Sequence, residues 1–382
     1  MKRVRRNESM GNSSKERHDK IYPSLPVDLI IEILTKLPPG AVSKLICVSK
    51  LWSSIIQGKH FNDLYLTRSS TRPLLLGLLH LQLHSTRLYQ YSSFQENPSS
   101  GHSIIRKTVP GFPIAAPVRG LICCTDDNAE VLIVANPSTS QFLTLPGVNH
   151  WTSSFFGYDP VNDLYKVFHM SLGFDIHGCL ISQGHQVFTL GAQKTWRMLE
   201  CKYPHYPLTQ GICKNGVVYY GAEFFSSYKE CFVLVCFELR LEEFSLITLP
   251  EGVRIEQDHR SDNLVSYNGK IALVSQSRNG KFDLWVLMDV IKQEWTKISV
   301  LVPCWKDLVG SEIFRCRGTI STGELIFEPF YYSRKFSVVY YNPKEDKARR
   351  VEFKGNGDCC ALKGIFLDHV DSPMFLPRKF IN

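Results

Sequence analysis

The chain has 382 residues, of which 44% are hydrophobic and 21% are charged. These values are typical of a globular protein with a sizeable core, and the length suits a small module followed by one large domain. The net charge is +8, and residues 1–20, with seven basic and three acidic side chains, contribute +4 of it. The basic excess therefore argues against a nucleic-acid-binding body, and we expect no nucleic-acid partner.

Residues 1–20 contain few apolar side chains, and we predict that they form a disordered basic tail. The cluster from Lys2 to Arg6 fits either a nuclear address or a solvated tail, and both interpretations stay open. The polar N-terminus lacks the apolar segment of a secretory leader, so we expect the protein in the cytoplasm and/or nucleus. Its twelve cysteines are then expected to be reduced thiols.

The longest apolar stretch, Leu74–Leu83, is about half of a membrane span, so we expect no membrane partner. No pair of cysteines has C-x-x-C spacing, and the histidines are scattered, which argues against a metal site. Phosphate-loop, G-x-S-x-G and H-E-x-x-H motifs are absent from the sequence. We therefore expect no catalytic residue, no metal ligand and no cofactor.

Residues 21–66 have the pattern of short helices. Pro26 can begin a helix, and apolar side chains recur at Leu29, Ile33 and Leu37. The run Pro38–Gly40 ends that helix, a second apolar pattern covers 41–48, and Ser49 can cap a third helix. Three such short helices can barely bury their own apolar faces. The module must pack on a neighbour or offer a face to a partner helix.

The run LPVDLIIEILTKLP from Leu25, then CVSKLWSSII from Cys47 and finally Phe61 closely resembles an F-box over about residues 23–63. Two stretches depart from the pattern of plant F-boxes, Gly40-Ala41 in place of Lys-Ser or Arg-Ser and Lys44–Ile46 in place of Arg-Phe-Arg. We expect these departures to lower the affinity for a partner but not to abolish binding.

The resemblance implies docking onto a Skp-type linker protein and, through it, onto a cullin. The resemblance, applied position by position, implies six linker-binding candidates in this chain: Leu25, Pro26, Leu29, Ile33, Val48 and Trp52. The alternative is that these side chains only form the core of a three-helix cap.

Residues 72–382 have a different pattern, in which short β-rich runs alternate with turn residues. Apolar strands end at turns marked by Pro137, Leu190, Leu239, Val290 and Pro343, which are 53, 49, 51 and 53 residues apart. A period near 50 residues is typical of a kelch-type propeller blade with about four strands. Asn-Gly pairs at 215–216 and 268–269 predict tight hairpin turns within the blades.

The five markers predict five blades. A β-like region at 73–96 adds one more, and the apolar run Gly364–Leu367 is a candidate for closing the ring with it. The fold predicted for the chain is therefore α+β and multidomain, with a small three-helix F-box and an all-β propeller-like domain of about six blades. Aromatic residues follow four of the markers, and we expect them to pack between blades: Phe142, Trp196, Phe244 and Trp295.

The phrases NPST from Asn136, FGYDP from Phe156 and FTLG from Phe188 resemble the F-box-associated domain of plant F-box proteins. This resemblance covers about residues 110–305 and implies a target-binding role without shared binding residues. Exposed aromatic loops are weak candidates for that role, and the alternative is that they only cover the core: Tyr203, Tyr206, Phe224, Phe225 and Tyr228.

Three functions follow from these patterns. The first is the substrate-recognition adaptor of a Skp–cullin–F-box ubiquitin ligase, which acts by holding an unknown target protein near the ubiquitin-charged enzyme. The second is a propeller-type protein-binding scaffold without ligase activity. The third is a propeller hydrolase.

Overall fold

The computed structural model describes residues 25–71, 74–81, 85–92, 105–110, 112–113, 115–125, 131–148, 152–175, 178, 180–226, 229–255, 263–276, 279–331, 336–353 and 362–376. The basic tail at 1–20, including Lys2–Arg6, lies outside these residues.

Four helices open the described chain: α1 (Val27–Lys36), α2 (Pro39–Leu45), α3 (Lys50–Gln57) and α4 (Lys59–Ser70). The first three match the predicted helices, and the Ser49 hydroxyl accepts a hydrogen bond from the Trp52 N–H at 3.1 Å, as expected of an N-cap. The sequence analysis did not separate α4, which follows α3 after a single residue, Gly58.

The four helices share one small core. Its buried side chains are Ile30, Leu34, Val42, Ile56, Phe61 and Tyr65. Phe61 and Tyr65 come from α4, so the added helix supplies two of the largest core side chains. The Tyr65 hydroxyl also donates to the Leu37 carbonyl at 2.8 Å. Helix α4 therefore closes a bundle that the first three helices leave incomplete.

The described strands that follow form five β-sheets, of which the eight-stranded one consists of two blades joined by a single parallel pair, so that the ring has six blades. Their strands, in chain order, are β1 (Leu74–Leu81), β2 (Ser85–Ser92) and β3 (Ile105–Pro110) in blade 1; β4 (Phe112–Pro113), β5 (Ile122–Thr125), β6 (Leu132–Asn136) and β7 (Gln141–Thr144) in blade 2; β8 (Thr152–Asp159), β9 (Leu164–Phe174), β10 (Leu180–Thr189) and β11 (Arg197–Leu199) in blade 3; β12 (His205–Pro207), β13 (Ile212–Lys214), β14 (Val217–Ser226), β15 (Lys229–Glu238) and β16 (Glu243–Thr248) in blade 4; β17 (Leu264–Tyr267), β18 (Lys270–Gln276), β19 (Lys281–Asp289) and β20 (Glu294–Leu301) in blade 5; and β21 (Phe314–Thr319), β22 (Leu325–Pro329), β23 (Phe336–Asn342) and β24 (Lys347–Phe353) in blade 6. A short helix, α5 (Trp305–Val309), connects blades 5 and 6.

The last strand closes the ring. Strand β25 (Leu362–His369) pairs antiparallel with β1, with Leu76 opposite Phe366 and Gly77 opposite Ile365. The first blade therefore takes its inner strand from the C-terminal part of the chain, where the sequence analysis placed the closing segment. Blades 5 and 6 also touch through a parallel pair, Ser266 and Gly318. A Cβ at Gly318 would clash with the Ser266 backbone, so glycine is required there.

The repeating markers lie at one place in the blade. Each follows the last strand but one of its blade and begins the turn to the last strand, as Pro137 does after β6 and Val290 after β19. These turns hold a residue with positive φ, among them Glu242 (61°) and Gln293 (54°). The Asn-Gly turn at 268–269 has positive φ at both positions (45° and 72°), which confirms the predicted hairpin geometry.

The aromatic markers join neighbouring blades in three of four cases. The Trp196 indole donates to the Pro146 carbonyl of the preceding blade and the Trp295 indole to the Thr248 carbonyl, both at 3.0 Å. The Phe244 ring lies 5.3 Å from that of Phe168 in blade 3. Phe142 is 59% exposed, so the prediction that it packs between blades is wrong. The position in the repeat does not by itself decide the environment, because Phe244 and Trp295 lie on the equivalent outer strands β16 and β20 and do contact neighbouring blades.

Candidate functional site

Helix α1 has two apolar stripes with different surroundings. Residues four apart in a helix lie on one face, and Ile30 and Leu34 point into the core at 5% and 0% exposure. Leu29 and Ile33 form the adjacent stripe and are 52% and 48% exposed. The alternative that all the predicted linker-binding side chains are only core is therefore wrong for these two.

The other predicted linker-binding residues lie just before α1, just before α3 and on α3. Leu25 and Val48 are 49% and 58% exposed, and Pro26 is exposed as well. Trp52 is half-buried and packs against the helical core, so it supports the surface from beneath. The structure thus brings the predicted residues of α1 and α3 together, and their role in binding stays a prediction.

A shallow groove of about 260 Å³ separates the two helices, and an uncharged set of side chains lines it: Leu25, Ile30, Ile33, Ser49, Leu51 and Trp52. Leu51, 46% exposed, was not predicted. Its position next to Trp52 on a short helix was the available signal. We call the exposed apolar side chains beside this groove the outer face: Leu25, Leu29, Ile33, Val48 and Leu51.

Helix α4 joins the helical bundle to the propeller through a cluster of charges. Asp63 accepts a hydrogen bond from Lys59 on its own helix at 2.8 Å and another from the Arg119 guanidinium at the start of blade 2. Lys59 also reaches the Tyr158 hydroxyl of blade 3 at 3.2 Å, and Arg119 lies 4.3 Å from the centre of the Tyr158 ring. Burial alone would raise the pKa of Asp63, but the hydrogen bonds from Lys59 and Arg119 outweigh it and lower the pKa.

The segment after β25 forms a second connection between the two domains. The Asp371 N–H donates to the Ser69 hydroxyl of α4 at 2.9 Å, and the Asp371 carboxylate accepts from Ser138 of blade 2 at 2.7 Å. The Asn136 amide donates to the carbonyls of Ser372 and Met374 at 3.1 and 2.8 Å. The C-terminal segment therefore contacts both α4 and blade 2, and a cavity of about 720 Å³ lies beside it.

The predicted target-binding aromatic residues come together in part. Tyr203 is 37% exposed, and its ring lies 6.5 Å from the half-buried Phe224 ring, in edge-to-face geometry. Tyr206 is half-buried on β12, opposite Glu223 of β14. The side chain of Phe225 and the whole of Tyr228 lie outside the described residues. Three of the five candidates thus share one edge of blade 4, and their role stays a prediction.

The propeller axis contains a cavity of about 290 Å³. Five blades contribute to its lining, with Ala116, Ile212, Val265, Thr319 and Phe366 as examples. Glu328 lies nearby on β22, where it accepts from the Ile365 N–H at 2.9 Å and pairs with Arg315 at 2.7 Å. The axis is therefore lined by inner strands that are held together across the ring closure.

One cross-strand pair has the residue types of a nucleophile and a base. Ser154 on β8 lies opposite His169 on β9, with Oγ and Nδ1 2.9 Å apart. Burial lowers the pKa of His169 to about 4, which makes it a weak base at neutral pH. The pair therefore gives the hydrolase hypothesis no support.

The cysteines of the described residues are all free thiols. Burial raises the pKa of Cys123 and of Cys236 to about 12, so neither is a nucleophile at neutral pH. One cluster has the residue types of a metal site: ligand atoms of His185, Cys201 and His205 lie within 4.8 Å of one another. The prediction of no metal ligands missed this cluster because it joins separate strands. Among the helices described, none has the length and apolar character needed to cross a membrane.

Comparisons with known proteins agree with both halves of the fold. The F-box domain family matches residues 23–64, and the F-box associated beta propeller domain family matches residues 74–370. An F-box/kelch-repeat protein of Arabidopsis thaliana is 40% identical over 96% of this chain and 98% of its own length. The F-box protein DOR of the same plant is 34% identical over 97% of this chain and 99% of its own.

Solved structures resemble the chain more distantly. A chain of a nidogen/laminin complex aligns with 77% of this protein and 98% of its own length, at 10% identity and a TM-score of 0.42, which tells nothing about function. The sequence relatives and the two family matches span nearly all of the described fold. The chain belongs to the family of F-box proteins that carry an F-box associated beta propeller domain.

Proposed function

We propose that this protein is the substrate-recognition subunit of a Skp–cullin–F-box ubiquitin ligase. The F-box binds a Skp-type linker, which connects to the cullin, and the propeller binds the target protein. The chain supplies no chemistry of its own in this scheme. It raises the effective concentration of the target near the ubiquitin-charged enzyme, in the cytoplasm and/or nucleus.

The outer face of the helical bundle carries this proposal. Five apolar side chains on and beside α1 and α3 are each close to half exposed, while the stripe next to them is fully buried. An exposed apolar surface beside a half-buried tryptophan is typical of a site for a partner helix. Four of the six predicted linker-binding residues belong to this outer face: Leu25, Leu29, Ile33 and Val48.

The junction between bundle and propeller supports an adaptor over two loosely linked modules. Asp63 and Ser69 of α4 are bonded to Arg119 of blade 2 and to Asp371 of the C-terminal segment. These contacts lie at two positions along one helix, so they restrict its rotation as well as its distance from the propeller. A fixed orientation places a bound target at a constant position relative to the linker, which proximity requires.

On the target side, the aromatic edge of blade 4 is our candidate surface. Tyr203, Tyr206 and Phe224 combine exposed ring area with low side-chain entropy, as binding hot spots commonly do. The chemistry of this edge favours a protein target with apolar side chains at its contact. The identity of the target lies beyond what this chemistry specifies.

Proximity labelling in plant cells with the proteasome blocked tests the proposal. The labelled protein is the intact chain, a Leu29→Glu/Ile33→Glu variant of the outer face, or Ile291→Glu, which alters a 94% exposed isoleucine in a blade 5 turn. Point variants are preferable to removal of residues 1–66, because α4 extends to Ser70 and contacts the propeller.

We expect the intact chain and Ile291→Glu to label the linker and the cullin, and the outer-face variant to lose both while it keeps its targets. Targets that are labelled equally by all three proteins, with no linker or cullin in any, would support the scaffold without ligase activity. Turnover of a substrate by the purified chain alone would support the hydrolase.

A further inference from the structure

A buried cluster at the boundary of blades 3 and 4 joins three side chains with nitrogen and sulfur ligand atoms. His185 lies on β10, Cys201 follows β11, and His205 begins β12. His205 is fully buried, His185 is 5% exposed and Cys201 is half-buried. One ligand atom from each lies within 4.8 Å of the others, a separation that a small inward movement of the side chains would reduce to a coordination sphere.

The hydrogen bonds of His205 orient one of its nitrogens. Its Nδ1 lies 2.6 Å from the Tyr203 carbonyl oxygen, which can only accept, so Nδ1 carries the hydrogen. Nε2 therefore carries the lone pair and accepts a hydrogen bond from the Tyr220 hydroxyl at 2.8 Å, a bond that a metal at Nε2 would replace. A backbone carbonyl that holds one ring nitrogen as a donor is the usual outer-shell arrangement of a metal-binding histidine.

His185 supplies a second, independent observation. Its Nε2 is buried and has no hydrogen-bond partner in the part of the chain that the structure describes. Buried ring nitrogens are nearly always partnered, so such an atom calls for a ligand or a bound water. The neighbouring Cys201 makes only a weak S–H contact with the Tyr203 carbonyl, at 3.4 Å.

We propose that His185, Cys201 and His205 bind one Zn²⁺ ion. Two imidazole nitrogens and one thiolate are ligands that zinc prefers, and three protein ligands leave a fourth position for water. On binding, the Cys201 thiol releases its proton to solvent and the sulfur donates its electron pair to the metal.

The metal would strengthen the segment that carries the target-binding candidates. Cys201 and His205 flank Tyr203, and the Tyr203 carbonyl already accepts from both. Coordination would therefore hold the backbone of Tyr203 at two points and limit the positions of its exposed ring. The zinc proposal itself does not depend on the ligase function.

The test uses the purified full chain, first stripped with a chelator and then titrated with Zn²⁺ or Co²⁺. We expect one equivalent to bind, the melting temperature to rise, and Co²⁺ to give the charge-transfer absorption of a cobalt–thiolate bond. Loss of an outer-shell partner already weakens metal binding by about tenfold or more. Because Cys201 is proposed as a direct ligand, Cys201→Ser should weaken Zn²⁺ binding by more than about tenfold. It should also abolish the cobalt–thiolate absorption.

Two controls separate this site from adventitious binding. Cys304→Ser changes an exposed free thiol, and His169→Gln changes a buried histidine outside the cluster. Both should bind Zn²⁺ as the unaltered chain does. The proposal is overturned if Zn²⁺ binds equally to Cys201→Ser, or if the unaltered chain gives no cobalt–thiolate absorption. The second readout needs no variant, so it holds even where a substitution disturbs folding.

Discussion

Asp63 of the F-box and Arg119 of the propeller form an ion pair across the boundary of the two domains. Arg119 has positive φ (50°) and lies in the turn before β5, so the propeller presents it from a constrained backbone. The Tyr158 ring lies against both Arg119 and Lys59, the two cations that pair with Asp63. Together with the hydrogen bond between Asp371 and Ser69, this contact holds the F-box on the ring.

Removal of that ion pair should loosen α4 without unfolding the propeller. The pair is partly exposed, so we expect Asp63→Asn and Arg119→Gln to show a coupling of about 0.5–1 kcal/mol. Hydrogen exchange of the α4 amides should then speed up about two- to fivefold in either variant, with little further change in the double variant. A matched control is Lys347→Gln, from an ion pair with partners 78% and 59% exposed. Additive effects of the two variants would contradict a direct pair.

Among the carboxylates near the ring closure, Glu328 should be the one whose substitution destabilises the protein most. It is 1% exposed, pairs with Arg315 and Arg317, and accepts from the Ile365 N–H of the closing strand. Because Glu328→Gln removes a buried charge that faces two guanidinium groups, we expect a loss of about 3 kcal/mol in the free energy of unfolding. Chemical denaturation measures it. Glu345→Gln, at an exposed ion pair, should stay within about 0.5 kcal/mol, and equal losses in the two variants would show that Glu328 does not stabilise the closure.

Acid should destabilise the propeller partly through His169. Burial lowers its pKa to about 4 from the ordinary 6.5, so between these values the unfolded chain binds more protons than the folded one. The stabilisation is complete above pH 6.5 and is lost as the pH falls towards 4. His169 should contribute about 2 kcal/mol of lost stability between pH 7.5 and pH 5.

Denaturation curves of His169→Gln at the two pH values check this contribution. The variant should be less stable at pH 7.5, but its loss of stability on acidification should be smaller by about the same 2 kcal/mol. An unchanged pH dependence would mean that His169 is not neutral in the folded protein.

The sequence predicts features that depend on local chemistry. The period of the markers follows from turns at the same place in blades 2 to 6, and each of these turns has a residue with positive φ in the structure, among them Ser140 and Asp346. The sequence of α1 predicts two neighbouring apolar stripes with i, i+4 spacing. Only the structure shows that the stripe with Ile30 is buried and the stripe with Leu29 is exposed.

Features that depend on distant pairs were harder to predict. The apolar run Gly364–Leu367 could be predicted as the closing segment. The register in which it pairs with β1 could not be predicted. The contacts of Asp63 with Arg119 and of His185 with Cys201 and His205 have no local pattern. They exist only because the ring brings separate strands together. Phe142 shows a different error. Its position in the repeat predicted that it packs between blades as the other aromatic markers do, but it is exposed.

The proposed ligase function depends on binding of a Skp-type linker by the outer face of the F-box. The most direct test is the affinity of the purified full chain for that linker, measured for the unaltered chain, Leu29→Glu/Ile33→Glu and Ile291→Glu. The two outer-face side chains are about half exposed, so the variant should melt close to the unaltered chain.

We predict that the outer-face variant loses at least about 2 kcal/mol of binding free energy, or about thirtyfold in affinity, as expected when interface hot spots are replaced. Ile291→Glu should bind within about twofold of the unaltered chain. A well-folded chain that ignores the linker at micromolar concentration, or that binds it equally well with and without the outer-face substitutions, would contradict the claim.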